Sequence, residues 1–460
     1  MKSNDSLVSV ERKSGPAGYA AGVDELLERT LTSLDLPDDF VQPGDKVVLK
    51  PNWVKEHDER NPGPDQWEHV VTHPAVIEAV IRWVAKRLAS KGSITICDAP
   101  QTDSSFAKLR EYCRLDEVIE RCREEFSGVR IELLDLRPEE WHAVDGVTVS
   151  KTTLAGDPLG STKVCLNEAS EFVDFHGQGK LYGASFDLEE TNEHHRGERH
   201  EYLLCRTPMD ADVLINLPKL KTHKKVGLTC ALKNLVGINA NKNWLPHHTE
   251  GTPDQGGDQF PESTTKNKLE HSWMGTAKRW LKNRPLVSRL FVPLKKLGRL
   301  YFGDTQSVVR SGNWHGNDTC WRMVLDLNNC LFGFDGEGSP RTRPLRYLAI
   351  VDGIIGGEGN GPMAPDPVNS SVLLAGTHPV AVDCVAATLM GFDWDKIRLL
   401  KGCFGDPQRQ LTSFRSTNIE VASSEPQWSG PLNTMENTFG FKPHFGWVGA
   451  IENEHRALAE

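Results

Sequence analysis

Basic and imidazole side chains are concentrated in one stretch of the chain, residues 212–248. The stretch opens with the apolar run Val213–Leu217, which predicts a buried strand that Pro218 ends. A turn crowded with lysines follows, and then a helix that Thr229 is predicted to cap and Gly237 to end. A strand that leads into a helix N-terminus gathers unpaired N–H groups and a positive dipole, and both attract anions. The sequence therefore predicts an anion-binding site here.

Four side chains of this stretch are candidates for chemistry. His223 is predicted to be a general acid/base, and Lys233, on the helix, to bind the substrate or a cofactor. His247 and His248 follow Pro246 in a loop and are predicted to hold a divalent metal, since imidazole nitrogen is a common ligand. The alternative is a solvated lysine turn with incidental histidines. The density of Lys, His and Asn just after a buried strand favours the functional interpretation.

Two more strands are predicted to end near the same place. Lys46–Lys50 and Ser93–Asp98 are short apolar runs separated by an amphipathic helix, which predicts a βαβ unit. Open α/β sheets bind ligands beyond the carboxyl ends of their strands. Lys50 or Asn52 is therefore expected to orient a carboxylate or phosphate, with a turn-capping Asn52 as the alternative. Asp98 is a candidate acid/base or metal ligand, or else it caps its own loop.

Further residues are predicted to bind the substrate: Lys219, Lys221, Asn234, Arg322, Asp352 and Glu358. Arg322 would bind a carboxylate or phosphate bidentately, or would instead pair with Asp326 four residues later on a helix. Asp352 stands at the end of a predicted strand. Glu358 lies in the Gly-rich segment 356–362, which is predicted to be a flexible loop because glycines dominate it.

Several long motifs resemble the family known as domain of unknown function 362. They are Lys50-Pro51-Asn52-Trp53, Thr72-His73-Pro74, Leu217-Pro218-Lys219-Leu220-Lys221-Thr222-His223, Leu232-Lys233-Asn234-Leu235-Val236-Gly237, Leu245-Pro246-His247-His248-Thr249-Glu250-Gly251 and Val351-Asp352-Gly353-Ile354. The resemblance runs along nearly the whole chain. The family name implies no reaction.

The central stretch is also similar, more distantly, to the nickel-pincer lactate racemase family. There a strand leads to a catalytic histidine, then to a helix whose lysine holds the cofactor covalently, and then to a nickel-binding histidine. His223 lies ten residues before Lys233, and His248 fifteen after it, in the order that the resemblance implies. The resemblance implies a shared fold, a shared site position and an isomerase, and it allows a covalent nickel-pincer cofactor on Lys233. Cys230-Ala231-Leu232 replaces the Gly-Gly pair of that family, and Lys50-Pro51-Asn52 its arginine motif, which argues against the nickel chemistry.

Composition narrows the class of protein. The 460 residues include 53 basic and 63 acidic side chains, a net charge of −10, which argues against a general nucleic-acid binder. Ten cysteines are scattered without a Cys-x-x-Cys pair, so they are expected to be reduced thiols of the core. The N-terminus lacks an apolar signal region, and no run approaches the ~20 apolar residues that span a bilayer. The expected location is the cytoplasm.

Residues 266–302 differ from the rest of the chain because ten lysines and arginines there accompany one glutamate, Glu270. Large apolar side chains alternate with the charges, which predicts a basic amphipathic insertion. Such a segment can rest peripherally on an anionic membrane or contact a lipid-linked substrate. The alternative is a helix pair packed on the body with its basic face in solvent.

Together these features predict an α/β protein of two lobes, with mixed or parallel sheets flanked by helices and a cleft between the lobes, as in the lactate racemases. Residues 1–210 would form the N-terminal lobe, and residues 211–460 the central and C-terminal lobe, which carries the insertion 266–302. The predicted function is a metal-dependent enzyme that isomerises or epimerises a small anionic metabolite, or eliminates a group from it. Hydroxy acids, sugar acids and phosphorylated sugars are the candidate substrates. The alternative is a non-catalytic binding or membrane-docking accessory protein. The sequence leaves the oligomeric state open.

Overall fold

The structure is a computed structural model that describes residues 5–15, 17–144, 147–184, 187–262, 307–406 and 409–453. The basic stretch 266–302 lies outside the described residues, so its predicted amphipathic character stays a prediction.

The described elements alternate between strands and helices for most of the chain. The strands are β1 (Leu7–Arg12), β2 (Lys46–Pro51), β3 (Ser93–Asp98), β4 (Arg130–Asp135), β5 (Glu139–Val144), β6 (Val147–Thr153), β7 (Ser161–Cys165), β8 (Leu181–Gly183), β9 (His195–Arg196), β10 (Arg199–Cys205), β11 (Val213–Leu217), β12 (Lys219–His223), β13 (Gly227–Thr229), β14 (Pro246–Thr249), β15 (Arg346–Asn360), β16 (Ala364–Val368), β17 (Val372–Gly376), β18 (Glu420–Ala422) and β19 (Gly430–Pro431). The helices are α1 (Val23–Thr32), α2 (Pro74–Leu88), α3 (Phe106–Tyr112), α4 (Leu115–Glu125), α5 (Leu188–His194), α6 (Arg206–Met209), α7 (Ala231–Asn234), α8 (Cys320–Gly333), α9 (Pro379–Met390) and α10 (Arg398–Gly402).

One large mixed sheet organises the molecule, in the strand order β19-β18-β1-β17-β15-β11-β2-β3-β4. Its strands β15, β11, β2, β3 and β4 run parallel, and β17 runs antiparallel between β15 and β1. Strand β12 pairs in parallel with β15 and antiparallel with β13, and β16 pairs antiparallel with β15. The sheet thus contains strands from both segments that were predicted to form separate lobes, residues 1–210 and residues 211–460.

Both faces of the sheet are covered, because its central strands are apolar on both sides. Val47 and Leu49 of β2 pack in a core with residues of α1, α2 and α4, whereas Val48 packs in a second core with residues of α8 and α9. This alternation follows from the two-residue period of a strand. The predicted α/β class, with a mixed sheet flanked by helices, is confirmed. The division into two lobes at residue 210, with a cleft between them, stays a prediction.

The chain has two Thr-His-Pro motifs, at residues 72–74 and 377–379, and each opens a helix. The Nδ1 atom of His73 accepts the Ala75 amide at 3.0 Å at the start of α2. His378 accepts the Val380 amide in the same way at 3.3 Å at the start of α9. In each case the proline lies in the first turn of the helix, where a backbone N–H would have no carbonyl partner within the helix, so its absence costs no hydrogen bond.

The predicted turn of lysines is wrong, because residues 219–223 form the fully buried strand β12. The charges are tolerated there because their partners come from distant parts of the chain. Lys219 pairs with Asp352 at 2.5 Å, and Lys221 donates to the carbonyl of Pro362 at 2.9 Å.

The predicted flexible Gly-rich loop is also wrong, since residues 356–360 continue β15 and pair with β16. Its glycines permit close packing on both sides. A Cβ atom at Gly356 would lie 2.9 Å from the ring of Phe441 and 3.0 Å from the carbonyl oxygen of Leu220.

The predicted helix after Thr229 is a single turn, α7, that a 3₁₀ segment continues to Ile238. Thr229 does not cap it. The carboxylate of Asp383 does, accepting the amides of Ala231 at 2.6 Å and Leu232 at 3.0 Å.

No helix in the described ranges is long and apolar enough to cross a membrane. All ten cysteines are free, and all except Cys165 are buried, so nine lie in the core as predicted; their reduced state stays a prediction.

Candidate functional site

A pocket of about 260 Å³ lies beyond the carboxyl ends of β2, β3 and β12. Most of the predicted site residues line it: Lys50, Asn52, Asp98, His223, Lys233, Asn234, His247 and His248. The parallel register of the sheet explains part of this grouping. Lys50 of β2 stands opposite Asn216 of β11, and Leu49 opposite Ile96 of β3, so these strands end together at one edge.

Lys50 and Asp98 form a buried ion pair in this pocket, with 2.7 Å between Nζ and Oδ1. The Asp98 carboxylate also accepts the backbone amides of Trp53 and Ala99, each at 2.8 Å. Gly237 makes the pair possible, since a Cβ atom there would lie 2.0 Å from Asp98 Oδ1 and 2.7 Å from Lys50 Nζ. Asp98 therefore accepts from three donors and fixes the ammonium of Lys50.

A chain of asparagines holds the pocket floor in one orientation. Asn216 donates to the carbonyl of Ala231 at 2.8 Å, so its oxygen is the atom that accepts from Asn234 at 2.7 Å. Asn234 also donates to the carbonyl of Lys50 at 3.1 Å, and its oxygen accepts from Asn52 at 2.8 Å. These bonds tie β2, β11 and α7 to one another.

The hydrogen bonds of His223 define its neutral tautomer. Its Nδ1 atom accepts the backbone N–H of Lys225 at 3.0 Å, so the ring proton lies on Nε2. Burial, reinforced by the charge of Lys233, holds the pKa of His223 well below its usual value. At neutral pH, His223 thus offers an Nε2–H donor.

His247 has the opposite tautomer. Its Nδ1 atom lies 2.9 Å from the carbonyl oxygen of Leu245, which only accepts, so Nδ1 carries the proton and Nε2 a lone pair. Burial and the charge of Lys233 also hold the pKa of His247 well below its usual value. The two histidines therefore provide a donor and an acceptor in one pocket.

His248 is engaged by Lys225. The lysine Nζ lies 3.3 Å from His248 Nδ1 and donates to the carbonyls of His247, at 3.3 Å, and Ser311. Three acceptors match the three protons of an ammonium. The His248 ring also stacks on Tyr182, with 4.6 Å between centroids.

Lys233 differs from the other pocket lysines in its contacts. It is partly exposed to the pocket, and no described residue forms a hydrogen bond or ion pair with its ammonium. Burial lowers the pKa of Lys233 below its usual value, and the charge of Lys50 acts in the same direction.

The charges of the pocket lining are strongly unbalanced. Five lysines and three histidines line it, and Asp98 is the single carboxylate among the described lining residues. That carboxylate already neutralises Lys50. Lys242 donates to the carbonyl of Ala99 at 2.9 Å, and burial lowers the pKa of Lys225 and Lys242 to about 8. The pocket is therefore a concentrated positive site whose described lining supplies no further counter-ion.

The structure does not bring Lys219, Lys221 or Asp352 to this pocket. Lys219 and Asp352 are fully buried and share the hydroxyl of Tyr19, which lies 2.9 Å from the ammonium and 2.7 Å from the carboxylate. Lys221 donates to the backbone carbonyls of Val70 and Pro362.

Arg322 and Glu358 also lie away from the pocket lining. Arg322 pairs with Asp318 at 3.0 Å and donates to the carbonyl of Glu171 at 2.6 Å. The alternative pairing with Asp326 is wrong, because that carboxylate accepts from Ser170 at 2.6 Å and from other groups instead. Glu358 accepts the backbone amide of Lys442 at 2.8 Å.

The side chains that line the pocket are poorly suited to binding a metal ion. Over the described ranges, no group of three or more His, Cys, Asp or Glu side chains is arranged to hold an ion. Of the two histidines predicted as ligands, His248 has its Nδ1 atom against the Lys225 ammonium, and only the Nε2 lone pair of His247 is shown by its contacts to be available. The surrounding lysines would also repel a cation.

Sequence reasoning missed Lys225, Lys242 and Gly237 as parts of the site. The two lysines lie in the same stretch as the predicted histidines, so their proximity along the chain was a usable signal. The close approach at Gly237 depends on β2 and β3, and no local pattern reveals it.

The chain belongs to the family described as domain of unknown function (DUF362), whose sequence profile matches residues 47–167 and 144–388. A segment of 51 residues is 45% identical to a thylakoid-associated protein of Synechocystis sp., covering 11% of this chain and 16% of that protein. The crystal structure of a protein from Thermotoga maritima aligns with a TM-score of 0.32 at 9% identity, covering 77% of this chain and 55% of that one. The chain thus spans less than two thirds of either relative. The more distant similarity to lactate racemases stays a prediction.

Proposed function

We propose that the pocket binds a small anionic metabolite and catalyses proton transfer on it. One observation carries this proposal: five lysines line the pocket, largely shielded from solvent, and the single carboxylate among the described lining residues is already paired. Buried charges are stable only when they are compensated, so a ligand anion would supply the missing partner.

The size of the pocket supports a small ligand. Its volume of about 260 Å³ lies near the lower end of the ~300–1,000 Å³ that small-molecule sites occupy. Hydroxy acids, sugar acids and small phosphorylated sugars are ligands of this class.

The two histidines supply the proposed chemistry. The Nε2 lone pair of His247 would take a proton from the carbon next to a carboxylate or carbonyl group of the ligand, and the Nε2–H of His223 would stabilise the charge that develops on the oxygen of that group. Return of the proton to the other face gives epimerisation, and return to a neighbouring carbon gives isomerisation. Loss of a neighbouring leaving group gives elimination. Lys233 and Lys242 would hold the anion, and Asp98 would position Lys50.

This chemistry needs no metal ion. Elemental analysis of protein purified without a tag or chelator tests the point. A stoichiometric metal that disappears in His247→Ala would contradict the assignment of His247 as a base and restore the metal-dependent prediction.

Solvent deuterium exchange tests the proposed activity across several classes of substrate. Hydroxy acids, sugar acids and phosphorylated sugars are incubated with the protein in D₂O, and the α-carbon proton is followed by NMR. We expect exchange with one chemical class, slowed about 10²- to 10⁴-fold in His247→Gln and unchanged in the exposed-site control Lys108→Met. Exchange that persists in His247→Gln would remove His247 from the mechanism.

A second proposal concerns location. The basic composition of 266–302 and the thylakoid association named for the Synechocystis relative support peripheral docking of an otherwise cytoplasmic protein on an anionic membrane. Sedimentation with anionic and neutral vesicles tests it. Salt-sensitive binding to anionic vesicles that disappears on deletion of 266–302 is expected, and equal binding after the deletion would contradict it.

A further inference from the structure

We propose that Lys233 is a nucleophile that forms an imine with a small anionic carbonyl compound, such as a 2-oxo acid, bound in the pocket. The proposal deepens the proposed function and rests on it, because the carbonyl compound must first bind as an anion.

The contacts of Lys233 set it apart from its neighbours. Lys50 is paired with Asp98, Lys225 has three acceptors, and Lys242 donates to a backbone carbonyl. The ammonium of Lys233 has no such partner among the described residues, and it lines the cavity. A lysine that is free of partners inside a pocket is available to react with a ligand.

The backbone that carries Lys233 is held firmly. Asp383 accepts the amides of Ala231 and Leu232 at the start of α7, and Asn234, the next residue, is bonded on both sides. The reacting amine is therefore presented from a fixed position, as covalent catalysis requires.

Its surroundings make the ammonium of Lys233 release its proton more readily than the ammonium of an exposed lysine does. Desolvation and a neighbouring cation are the two influences that activate a catalytic lysine, and both act on Lys233 through burial and Lys50. The charge of Lys233 in turn depresses the pKa values of His223 and His247, so the three groups interact in one pocket.

Protons and electrons balance in the proposed step. The Lys233 ammonium gives one proton to the Nε2 atom of His247, and the amine attacks the carbonyl carbon. The C–N bond forms while the C=O π electrons move to oxygen, which the Nε2–H of His223 stabilises. A second N–H proton moves to that oxygen. His247 then returns its proton to the hydroxyl, water leaves, and the nitrogen lone pair completes the C=N bond. An ammonium and a carbonyl compound thus give a protonated imine and water.

The imine would serve the proton transfer proposed for the site. Its positive nitrogen withdraws electrons from the bound carbon skeleton and acidifies the adjacent C–H. His247, neutral again after the water leaves, can then accept that proton.

Reductive trapping tests the proposal on the full-length protein. The protein is incubated with pyruvate or glyoxylate, treated with sodium borohydride and digested, and the modified lysine is located by mass spectrometry. We expect one reduced adduct on Lys233, its loss in Lys233→Met and its retention in Lys108→Met. Because the site is mapped on the unaltered protein, the result does not depend on the folding of a variant.

Competition with inorganic phosphate, measured by calorimetry, separates this proposal from the proposed function. Oxo acids that displace phosphate without forming an adduct on Lys233 would overturn the imine and leave anion binding intact. Absence of both adduct and phosphate binding would overturn both proposals. Adducts spread evenly over Lys108 and other exposed lysines would also overturn the assignment.

Discussion

Replacement of Gly237 by alanine probes the contact on which the Lys50–Asp98 pair depends. The new Cβ atom would lie 2.0 Å from Asp98 Oδ1, 2.7 Å from Lys50 Nζ and 2.8 Å from Lys50 Cε, so the pair has to separate. Separating a buried ion pair costs about 3–5 kcal/mol. The loss of glycine flexibility in the unfolded chain offsets about 0.4–1 kcal/mol of this. We therefore expect the free energy of unfolding to fall by about 2–4.5 kcal/mol.

Urea unfolding of the ligand-free protein measures this change, with Gly63→Ala as the matched control. Gly63 has no atom within 4 Å of its would-be Cβ, so the control should lose no stability and should gain about 0.4–1 kcal/mol from the stiffer unfolded chain. If Gly237→Ala unfolds at the same urea concentration as Gly63→Ala, the close approach of Gly237 to the ion pair is refuted.

Three further predictions follow from buried charges. Burial lowers the pKa of Lys225 and Lys242 to about 8, below the ~10.4 of an unfolded chain. Between about pH 8 and about pH 10.4 the unfolded state therefore binds more protons than the folded state, so the free energy of unfolding should rise with pH over that window. Phosphate affinity should fall over the same window, because the two lysines lose their charge. Urea unfolding and calorimetry at several pH values check the two trends, and an affinity that does not change with pH would contradict them. Lys219→Met leaves Asp352 buried and uncompensated and should cost about 3–5 kcal/mol in urea unfolding, whereas a change below 1 kcal/mol would show that the pair is dispensable. Asp383→Asn replaces one of the two accepting oxygens by an NH₂ group, so one backbone N–H loses its acceptor. The change should cost about 1–3 kcal/mol by the same measurement, with an unchanged midpoint as the contrary result.

Local patterns predicted most of the parallel sheet. The apolar runs of β2, β3 and β11 are bounded by turn residues, and the Thr-His-Pro motifs supply both a cap and a first-turn proline. These signals act over a few residues, so a single sequence contains them. Strand β12 was not predicted, because its lysines are stabilised by Asp352 and by backbone carbonyls more than a hundred residues away in the chain. Local sequence patterns do not contain such contacts.

The position of the site could be predicted better than the hydrogen bonds and ion pairs within it. The polar residues after β2 and β3 were expected at one sheet edge, and the structure places Lys50, Asn52 and Asp98 there. The Asp98–Lys50 pair needs the space left by Gly237, and His248 is engaged by Lys225. Both arrangements depend on tertiary packing. Residue types alone suggested an acid/base at Asp98 and a metal ligand at His248, where the packing gives groups already engaged in hydrogen bonds or an ion pair.

Calorimetric titration with inorganic phosphate tests the central claim most directly. We expect saturable one-to-one binding at pH 7 that weakens about 10- to 100-fold in Lys233→Met, because a hydrogen bond to a charged group contributes about 1.5–3 kcal/mol. The control Lys108→Met removes the same charge from an exposed site and should bind as the parent does. Absence of saturable binding by the parent protein, or equal weakening in both variants, would contradict an anion site at this pocket.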